Sequence, residues 1–248
     1  MRASKGTKYL CNMLRLRKVF IKSVLFGCFW AFAMVSVPSG KAFSQSESYQ
    51  LAVLKYRGGG DWYSNPTALP NLVEFCNEQL GMQLDTEVAT VDVGAPELFD
   101  YPWLHMTGHG NVVFSGAEAQ NLRTYMDAGG FLHISDNYGM DEYVRREMKK
   151  VIPEAIWTEI PWSHPVFHVV YDFEKGLPKV HEHDDLPPRG YGLFLNGRLV
   201  VFYDHESDLG DGWEDWQVHR DPEELRQRAL QMGANLVAYA LQGATEAN

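Results

Sequence analysis

The feature of the sequence that most constrains its fold is an alternation of short apolar strands with amphipathic helices. The clearest helix begins after Ser115, which forms a capping box with Glu118, and it ends at Gly129-Gly130. Asn196-Gly197 between two apolar runs predicts a hairpin with a type I′ turn. The other predicted elements are strands at 49–56, 86–93, 102–107 and 131–135 and helices at 67–80, 141–150 and 221–243.

This order of elements predicts an α/β sandwich that is built on a mostly parallel sheet with an added hairpin. Residues 151–190 are rich in Pro and His and are predicted to be irregular. In parallel sheets, ligands bind beyond the carboxyl ends of the strands. Loops 57–63, 108–111 and 136–139 follow those ends, so we expect these three loops to meet on one rim of the sheet.

Residues 1–44 differ from the rest of the chain in composition. They contain eight Lys or Arg and no acidic residue, and the apolar stretch Val24–Val37 is followed by Pro38-Ser39-Gly40 and by the small residues of Ala42-Phe43-Ser44. This order is typical of a secretory signal peptide, and an uncleaved membrane anchor is the alternative. We therefore expect residues 45–248 to form a single domain that is exported and is periplasmic or associated with the cell envelope.

Without that segment the domain is strongly acidic. Of the 22 basic residues in the chain, eight lie in residues 1–44, which leaves 14 against 32 acidic residues and a net charge of −18. Such a surface disfavours nucleic acid and anionic lipid, and it suits cations, neutral sugars or a basic envelope protein as partners. Membrane contact is expected only through residues 1–44, if they are not cleaved. Cys76 is the one cysteine of residues 45–248, so no disulfide forms within the domain.

Polar and aromatic residues concentrate in the three loops and in two dense clusters, 181–185 and 204–215. Charged side chains are costly to bury and are usually scattered over a surface, so clusters of this density indicate a built site. The alternatives are a solvated acidic loop, or carboxylates that fix the turn around Gly210 and Gly212. The candidate ligand-binding residues are Arg57, Asp61, Trp62, Tyr63, His109, Asn111, Asp136, Asn137, Tyr138, His181, Glu182, His183, Asp184, Glu206, Asp208, Asp211 and Trp213.

Three histidines are the candidate ligands of a divalent metal cofactor. His181 and His183 have the spacing that places two side chains on one face of a strand, and His109 follows a strand between two glycines. Glu182 or Asp136 would then act as the general base on a metal-bound water. The sequence contains no HExxH motif and no pair of cysteines spaced as metal ligands.

Single residues argue against two other kinds of site, an EF-hand calcium loop and a nucleophilic active site. The run Asp204-x-Glu206-x-Asp208 resembles the start of a calcium loop, but Leu209 stands where an EF-hand needs glycine. A hydrolase with a nucleophile on the sharp turn after a strand needs Cys or Ser, and that position after 131–135 is Asn137.

The glycine-rich loop that starts at Arg57 is interpreted either as an anion-binding turn or as a tight turn that lets Trp62 cover the core.

The sequence resembles the domain of unknown function 4159 family over residues 49–242. The resemblance rests on YRGGGDWYSNPTALPNL, LHMTGHGNVVFS, YMDAGGFLHISDNYG, HPVFH, GLPKVHEHD and YDHESDLGDGWED. It implies the flavodoxin-like three-layer sandwich of the class I glutamine amidotransferase-like superfamily and an exported or membrane setting, with no established reaction. A weaker resemblance to ThuA-like proteins, in residues 115–130, 163–165 and 197–203, implies the same fold.

Three functions are consistent with these features. The first is a ligand-binding or accessory domain without a nucleophile, in which Trp62, Tyr63, Tyr138 and Trp213 form the walls of the site. The second is a hydrolase that uses a divalent metal bound by the three histidines. The third is an interaction module whose acidic face docks a basic protein.

Overall fold

Seven strands pair into one sheet in the computed structural model, which describes residues 48–246. In chain order the strands are β1 (Ala52–Lys55), β2 (Ala89–Asp92), β3 (Trp103–Gly108), β4 (Phe131–Asp136), β5 (Thr158–Glu159), β6 (Arg189–Leu195) and β7 (Arg198–His205). Their order in the sheet is β2-β1-β3-β4-β7-β6-β5. The first five strands in that order are parallel, whereas β6 is antiparallel to β7 and β5 is antiparallel to β6.

Helices cover both faces of the sheet. They are α1 (Ala68–Leu80), α2 (Gly116–Asp127), α3 (Asp141–Val151), α4 (Leu209–Trp213), α5 (Trp216–His219) and α6 (Glu223–Glu246). Two short 3₁₀ turns, Pro96–Asp100 and Pro165–Phe167, complete the regular structure of the described residues.

Two hydrophobic cores, one on each face, explain why the central strands are continuously apolar. All six residues of β3 and all six of β4 are buried. On one face, Leu72 of α1, Trp213 of α4 and Leu236 of α6 belong to the same core. On the other face, Leu122 of α2 packs in a second core with Met148 of α3. The predicted α/β fold, a three-layer sandwich with a mostly parallel sheet and an added hairpin, is therefore confirmed.

Local sequence signals account for the hairpin and for the start of α2. Asn196 and Gly197 have φ angles of +51° and +82°, the left-handed backbone that a type I′ turn requires. The Oγ of Ser115 accepts the N–H of Glu118 at 3.2 Å, and the Glu118 carboxylate accepts the N–H of Ser115 at 2.7 Å. The predicted hairpin and capping box are both present.

The chain contains more regular structure than its sequence predicts in two places. Residues 151–190 include β5 and a 3₁₀ turn, and α4 and α5 follow β7. Gly210 and Gly212 disfavour a helix at α4 locally. A Cβ at Gly212 would lie only 2.5 Å from the Cβ of Ala229 in α6, so this glycine permits a close approach between the two helices. Tertiary packing therefore supports a helix where the sequence predicts a turn.

Membrane association was predicted only for the first segment of the chain. Within residues 48–246, no helix combines the length and the apolar character needed to cross a membrane. The predicted signal peptide or anchor, residues 1–44, lies outside the described residues.

Candidate functional site

The carboxyl ends of β3, β4 and β7 lie level with one another and form a rim. In the sheet, Gly108 pairs with Asp136, and Ser135 pairs with Asp204. The N–H of Asn137 donates to the carbonyl of Gly108 at 3.3 Å, which joins the loops after β3 and β4. The loops that follow the three strands are therefore neighbours in space, although they are far apart in the sequence.

Segment 181–185 lies against this rim. Just before it, the N–H of Val180 donates to the carbonyl of Ser207 at 2.8 Å. The ring of Tyr138 stacks on the imidazole of His183 with 4.7 Å between centroids, and the Tyr138 hydroxyl donates to Asp184 at 3.2 Å. These contacts place the first acidic cluster beside the loop after β4 and beside the second cluster.

Three possible ligand atoms converge where segment 181–185 meets α4 and α5. His181 Nδ1 lies 2.8 Å from Asp211 Oδ2, and His219 Nε2 lies 3.8 Å from the same oxygen. One ligand atom of each residue lies within 4.8 Å of those of the other two. Two imidazoles and a carboxylate are a ligand set for Zn²⁺ and other divalent transition metals. We name this trio the metal-ligand group.

Outer polar contacts orient two members of the metal-ligand group. Asp221 Oδ1 lies 3.3 Å from His181 Nε2, on the far side of the ring from Asp211. The side-chain amide of Asn65 donates to Asp211 Oδ1, which leaves Oδ2 directed at the two histidines. In metal sites, partners of this kind fix the tautomer of a histidine and the direction of a carboxylate.

The metal-ligand group is electrostatically suited to a positive charge. The hydrogen bond with Asp211 raises the pKa of His181 to about 9, and partial burial of the ring opposes this shift. Burial acts to raise the pKa of Asp211, but hydrogen bonds from His181 and Asn65 outweigh it and hold that pKa below its ordinary value. His181 is therefore protonated at neutral pH, and a metal ion would replace this proton.

Asp208 is a fully buried carboxylate beside the metal-ligand group. Its Oδ2 lies 2.5 Å from His183 Nε2 and 3.7 Å from His181 Nδ1, and its Oδ1 has no hydrogen-bond partner among the described residues. Burial, together with the charge of Asp211, raises the pKa of Asp208 to about 6. The Asp208 carboxylate thus links His183 to the metal-ligand group.

A chain of amides supports Asp211 from below the rim. The Thr107 hydroxyl donates to Asn137 Oδ1 at 2.9 Å, and Asn137 Nδ2 donates to Asn65 Oδ1 at 2.5 Å. Asn65 then donates to Asp211. Asn137 is buried, and its side-chain amide is part of this hydrogen-bonded chain. It occupies the position after β4 where a nucleophilic hydrolase would have Cys or Ser.

A second buried polar chain runs beneath α4. The Ser135 hydroxyl donates to Asp204 Oδ1 at 3.1 Å and accepts the N–H of Gly210 at 3.1 Å. Asp204 Oδ2 lies 2.9 Å from His133 Nε2, and His133 Nδ1 lies 3.1 Å from His105 Nδ1. Burial lowers the pKa of His105 to about 3 and also lowers the pKa of His133. Burial and the charge of Asp208 raise the pKa of Asp204.

A protein-family match covers almost all of the described residues. The model for "Domain of unknown function (DUF4159)" matches residues 50–241. The chain belongs to the DUF4159 family. Comparison with curated proteins finds no match. The description of this family states no activity.

Two predicted site residues of this DUF4159 domain have structural roles. Trp213 is not a wall of the site but is fully buried, and its indole N–H donates to the Ala229 carbonyl at 2.8 Å. Asp136 is buried too, and its Oδ1 accepts the N–H groups of Tyr138 and Met140. Its Oδ2 accepts the Tyr203 hydroxyl at 2.8 Å. Since both oxygens are engaged, Asp136 orders the turn before α3 and is not placed as a general base.

Glu182 and Glu206 both face a lysine instead of the metal-ligand group. Glu206 is buried and accepts a hydrogen bond from Lys179 Nζ at 2.7 Å. Burial acts to raise the pKa of Glu206, but Lys179 outweighs this and lowers it. Glu182 lies 3.6 Å from the same amine and is exposed. Lys179 therefore neutralises part of the negative charge of clusters 181–185 and 204–215 and joins the two.

Close approach of two glycine-containing loops brings Asp61 onto His109. A Cβ at Gly60 would lie 2.8 Å from the His109 carbonyl oxygen, and one at Gly108 would lie 3.0 Å from the Asp61 carbonyl oxygen. Asp61 accepts the backbone N–H of His109, and its Oδ2 lies 3.0 Å from His109 Nδ1. Burial acts to raise the pKa of Asp61, but these hydrogen bonds outweigh it and lower the pKa.

In loops 57–63 and 108–111, some of the other predicted residues are engaged within the protein and others are exposed. Arg57 pairs with Glu118 at 2.5 Å, and the Asn111 amide donates to the Gly58 carbonyl at 3.0 Å. Trp62 packs against a hydrophobic core, whereas Tyr63 is 66% exposed. Of the predicted binding side chains in these loops, Tyr63 is thus the aromatic one that is open to a ligand.

The structure brings together a different set of possible metal ligands from the predicted trio of His109, His181 and His183. His181 belongs to the metal-ligand group, but His183 contacts Asp208 and His109 contacts Asp61. His219 takes the third position and was missed, as were the outer partners Asp221 and Asn65. The sequence gives little signal for these residues, since His219 lies in a four-residue helix and Asp221 lies in the short connection between α5 and α6.

Proposed function

We propose that this domain binds one divalent transition-metal ion through the metal-ligand group, His181, Asp211 and His219, and uses it to activate water for hydrolysis. The observation that carries the proposal is the convergence of three ligand atoms within 4.8 Å of one another. Three protein ligands leave one position of a tetrahedral metal for water. Such an ion would supply the nucleophile by lowering the pKa of a water molecule toward neutral pH.

The partial exposure of the metal-ligand group supports a site that water can reach. The side chains of His181 and His219 are 25% and 29% exposed, and Asp211 is largely buried. The carboxylate would thus anchor the ion from the protein side while the imidazoles border solvent. Ser135 is fully buried and Asn137 is an amide, so a metal-bound water supplies the nucleophile that these two rim positions do not.

A binding role without catalysis is the second candidate function. Tyr63 and Tyr138 are 66% and 49% exposed at the rim, and exposed aromatic rings of this kind favour contact with a small ligand. The loops that carry them are joined by a 3.3 Å hydrogen bond from Asn137 to Ser64. Docking of a basic envelope protein on the acidic face remains a prediction from the charge.

The cellular setting and the superfamily are also part of the proposal. The basic, apolar and small-residue order of residues 1–44 supports export to the periplasm or envelope. The strand order β2-β1-β3-β4-β7 supports a flavodoxin-like relationship to the class I glutamine amidotransferase-like superfamily. The acidic domain surface supports the expectation that nucleic acid is not a partner.

Metal analysis of the purified chain tests the proposed function. We expect one tightly bound Zn²⁺ per chain in the wild type and its loss in His219→Ala and Asp211→Asn. His168→Ala is the matched control, because His168 pairs with Asp172 at 2.9 Å beside the first residues of β4 and β7, at the opposite end of the sheet. Equal metal content in His219→Ala and in the wild type would contradict the proposal.

Hydrolysis is tested on the same preparations with chromogenic esters of p-nitrophenol. The Zn²⁺-loaded wild type and the His168→Ala control should cleave an ester that the metal-free protein leaves intact. A protein that binds zinc but cleaves none of the esters favours the second candidate function. Stoichiometric iron in place of zinc would contradict hydrolysis, since two histidines and a carboxylate also serve iron oxygenases.

A further inference from the structure

We infer that the rim holds a second divalent cation beside the first, bound by Asp208 and His183 and bridged to the first ion through the Asp208 carboxylate. The inference rests on the proposed function, because the metal-ligand group supplies the first ion. It assigns a role to two residues that the mononuclear site leaves unused.

The first observation is the state of the Asp208 carboxylate. Asp208 is fully buried, and its Oδ1 has no hydrogen-bond partner among the described residues. A buried, unpartnered carboxylate oxygen loses its hydration without compensation, which destabilises the charged carboxylate. A cation bound to this carboxylate offsets the penalty, because its positive charge compensates the buried negative charge.

The second observation is the position of Asp208 between two histidines. Its Oδ2 lies 2.5 Å from His183 Nε2 and 3.7 Å from His181 Nδ1, the nitrogen that faces the first ion. Because Oδ2 lies near a histidine nitrogen of each position, this one oxygen can contact both ions. Paired metal ions in hydrolytic enzymes lie about 3.5–4 Å apart, a separation that a single carboxylate spans.

The third observation is that His183 is held in place and is still reachable. The ring of Tyr138 stacks on its imidazole at 4.7 Å, and its side chain is 21% exposed. Tyr138 has a φ of +116°, a backbone conformation that residues with a side chain rarely adopt. Such strain concentrates at functional sites, where the surrounding structure maintains it. Here it aligns the ring that fixes His183.

The two positions differ in the number of protein ligands. The first has His181, Asp211 and His219, and the second has His183 and the shared Asp208. The second ion therefore keeps more bound water and binds more weakly than the first. Stepwise filling follows, in which the first ion enters the metal-ligand group and the second completes the pair.

Equilibrium dialysis of the full chain against Zn²⁺, followed by elemental analysis, tests the inference. We expect two ions per wild-type chain with at least a tenfold difference in affinity. His183→Ala should retain the tight ion and lose the weak one. His168→Ala should retain both, since it removes a comparable partly exposed histidine away from the rim.

The outcomes separate this inference from the proposed function. One ion in both the wild type and His183→Ala would overturn the second position and leave the first intact. Two ions in His183→Ala would also overturn it. No bound ion in the wild type would overturn both. Asp208→Asn is a second variant, expected to lose the weak ion; if it fails to fold, the His183→Ala result decides.

A spectroscopic measurement gives an independent test. In the Mn²⁺-loaded protein, a carboxylate-bridged pair couples magnetically and weakens the signal of isolated Mn²⁺ in electron paramagnetic resonance. We expect the wild type at two equivalents to show the coupled pair and His183→Ala at one equivalent to show an isolated ion. Two uncoupled ions in the wild type would overturn the bridge.

Discussion

Two groups of histidines in this domain have opposite surroundings. His105 and His133 lie within the sheet core between Trp103 and Trp213, and burial lowers the pKa of His105 to about 3. At the rim, the hydrogen bond with Asp211 raises the pKa of His181 to about 9. The core pair is therefore neutral and fixes packing, whereas His181 at the rim carries a positive charge. The partners of a histidine, more than the local density of histidines, indicate a metal site.

The largest expected effect comes from removing the Asp204 carboxylate, which is the buried partner of His133. Asp204→Ala leaves His133 Nε2 and the Ser135 hydroxyl without their buried partner. We expect the free energy of unfolding to fall by about 2–6 kcal/mol, because two buried polar groups each lose a hydrogen-bond partner at about 1–3 kcal/mol. Urea denaturation measures this loss.

The control for this prediction is an exposed pair of the same type. Asp172→Ala removes the partner of His168, and Asp172 is 80% exposed, so the loss should stay below about 1 kcal/mol. Equal effects of the two substitutions would break the contrast between buried and solvent-facing histidine pairs.

The core histidines also predict how stability depends on pH. The folded-state pKa of His105 is about 3, below the ordinary value of 6.5, so between these values the unfolded chain binds a proton that the folded chain excludes. Stability therefore falls as the pH falls from 6.5, by about 2–3 kcal/mol at pH 4.5 for this histidine. His105→Leu should flatten that part of the pH profile. An unchanged slope would show that His105 is protonated in the folded state.

At the rim, the expected effect concerns metal affinity more than folding. Asp221→Asn weakens the outer contact to His181 and should lower Zn²⁺ affinity about 10–100-fold. Asp215→Asn is the control, because Asp215 bonds Asn71 instead of a metal ligand and should leave the affinity unchanged. Isothermal titration calorimetry measures both. Equal affinities in Asp221→Asn and the control would argue against a role for Asp221 in orienting His181.

The smallest expected effect lies at the glycine-rich loop. The Arg57 side chain is 72% exposed, and its pairing with Glu118 is largely screened by water. Arg57→Ala should lower the free energy of unfolding by less than about 1 kcal/mol and should leave metal binding unchanged. Thermal unfolding and metal analysis measure the two. A large loss of metal would extend the site to this loop.

Local patterns predict the elements of this fold better than they predict its site. The capping box at Ser115 and the Asn196-Gly197 turn each act within a few residues, so the sequence is sufficient to find them. The contact between Asn65 and Asp211 spans 146 residues and has no local signal. Trp213 was misassigned because its indole, which is also suited to ligand contact, finds its hydrogen-bond partner inside the core.

The tight packing of α4 fixes the position of Asp211. A Cβ at Gly212 would lie 2.5 Å from that of Ala229, and one at Gly233 would lie 2.8 Å from the Trp213 ring. Since α4 has no room to move toward α6, Asp211 cannot retreat from His181 and His219.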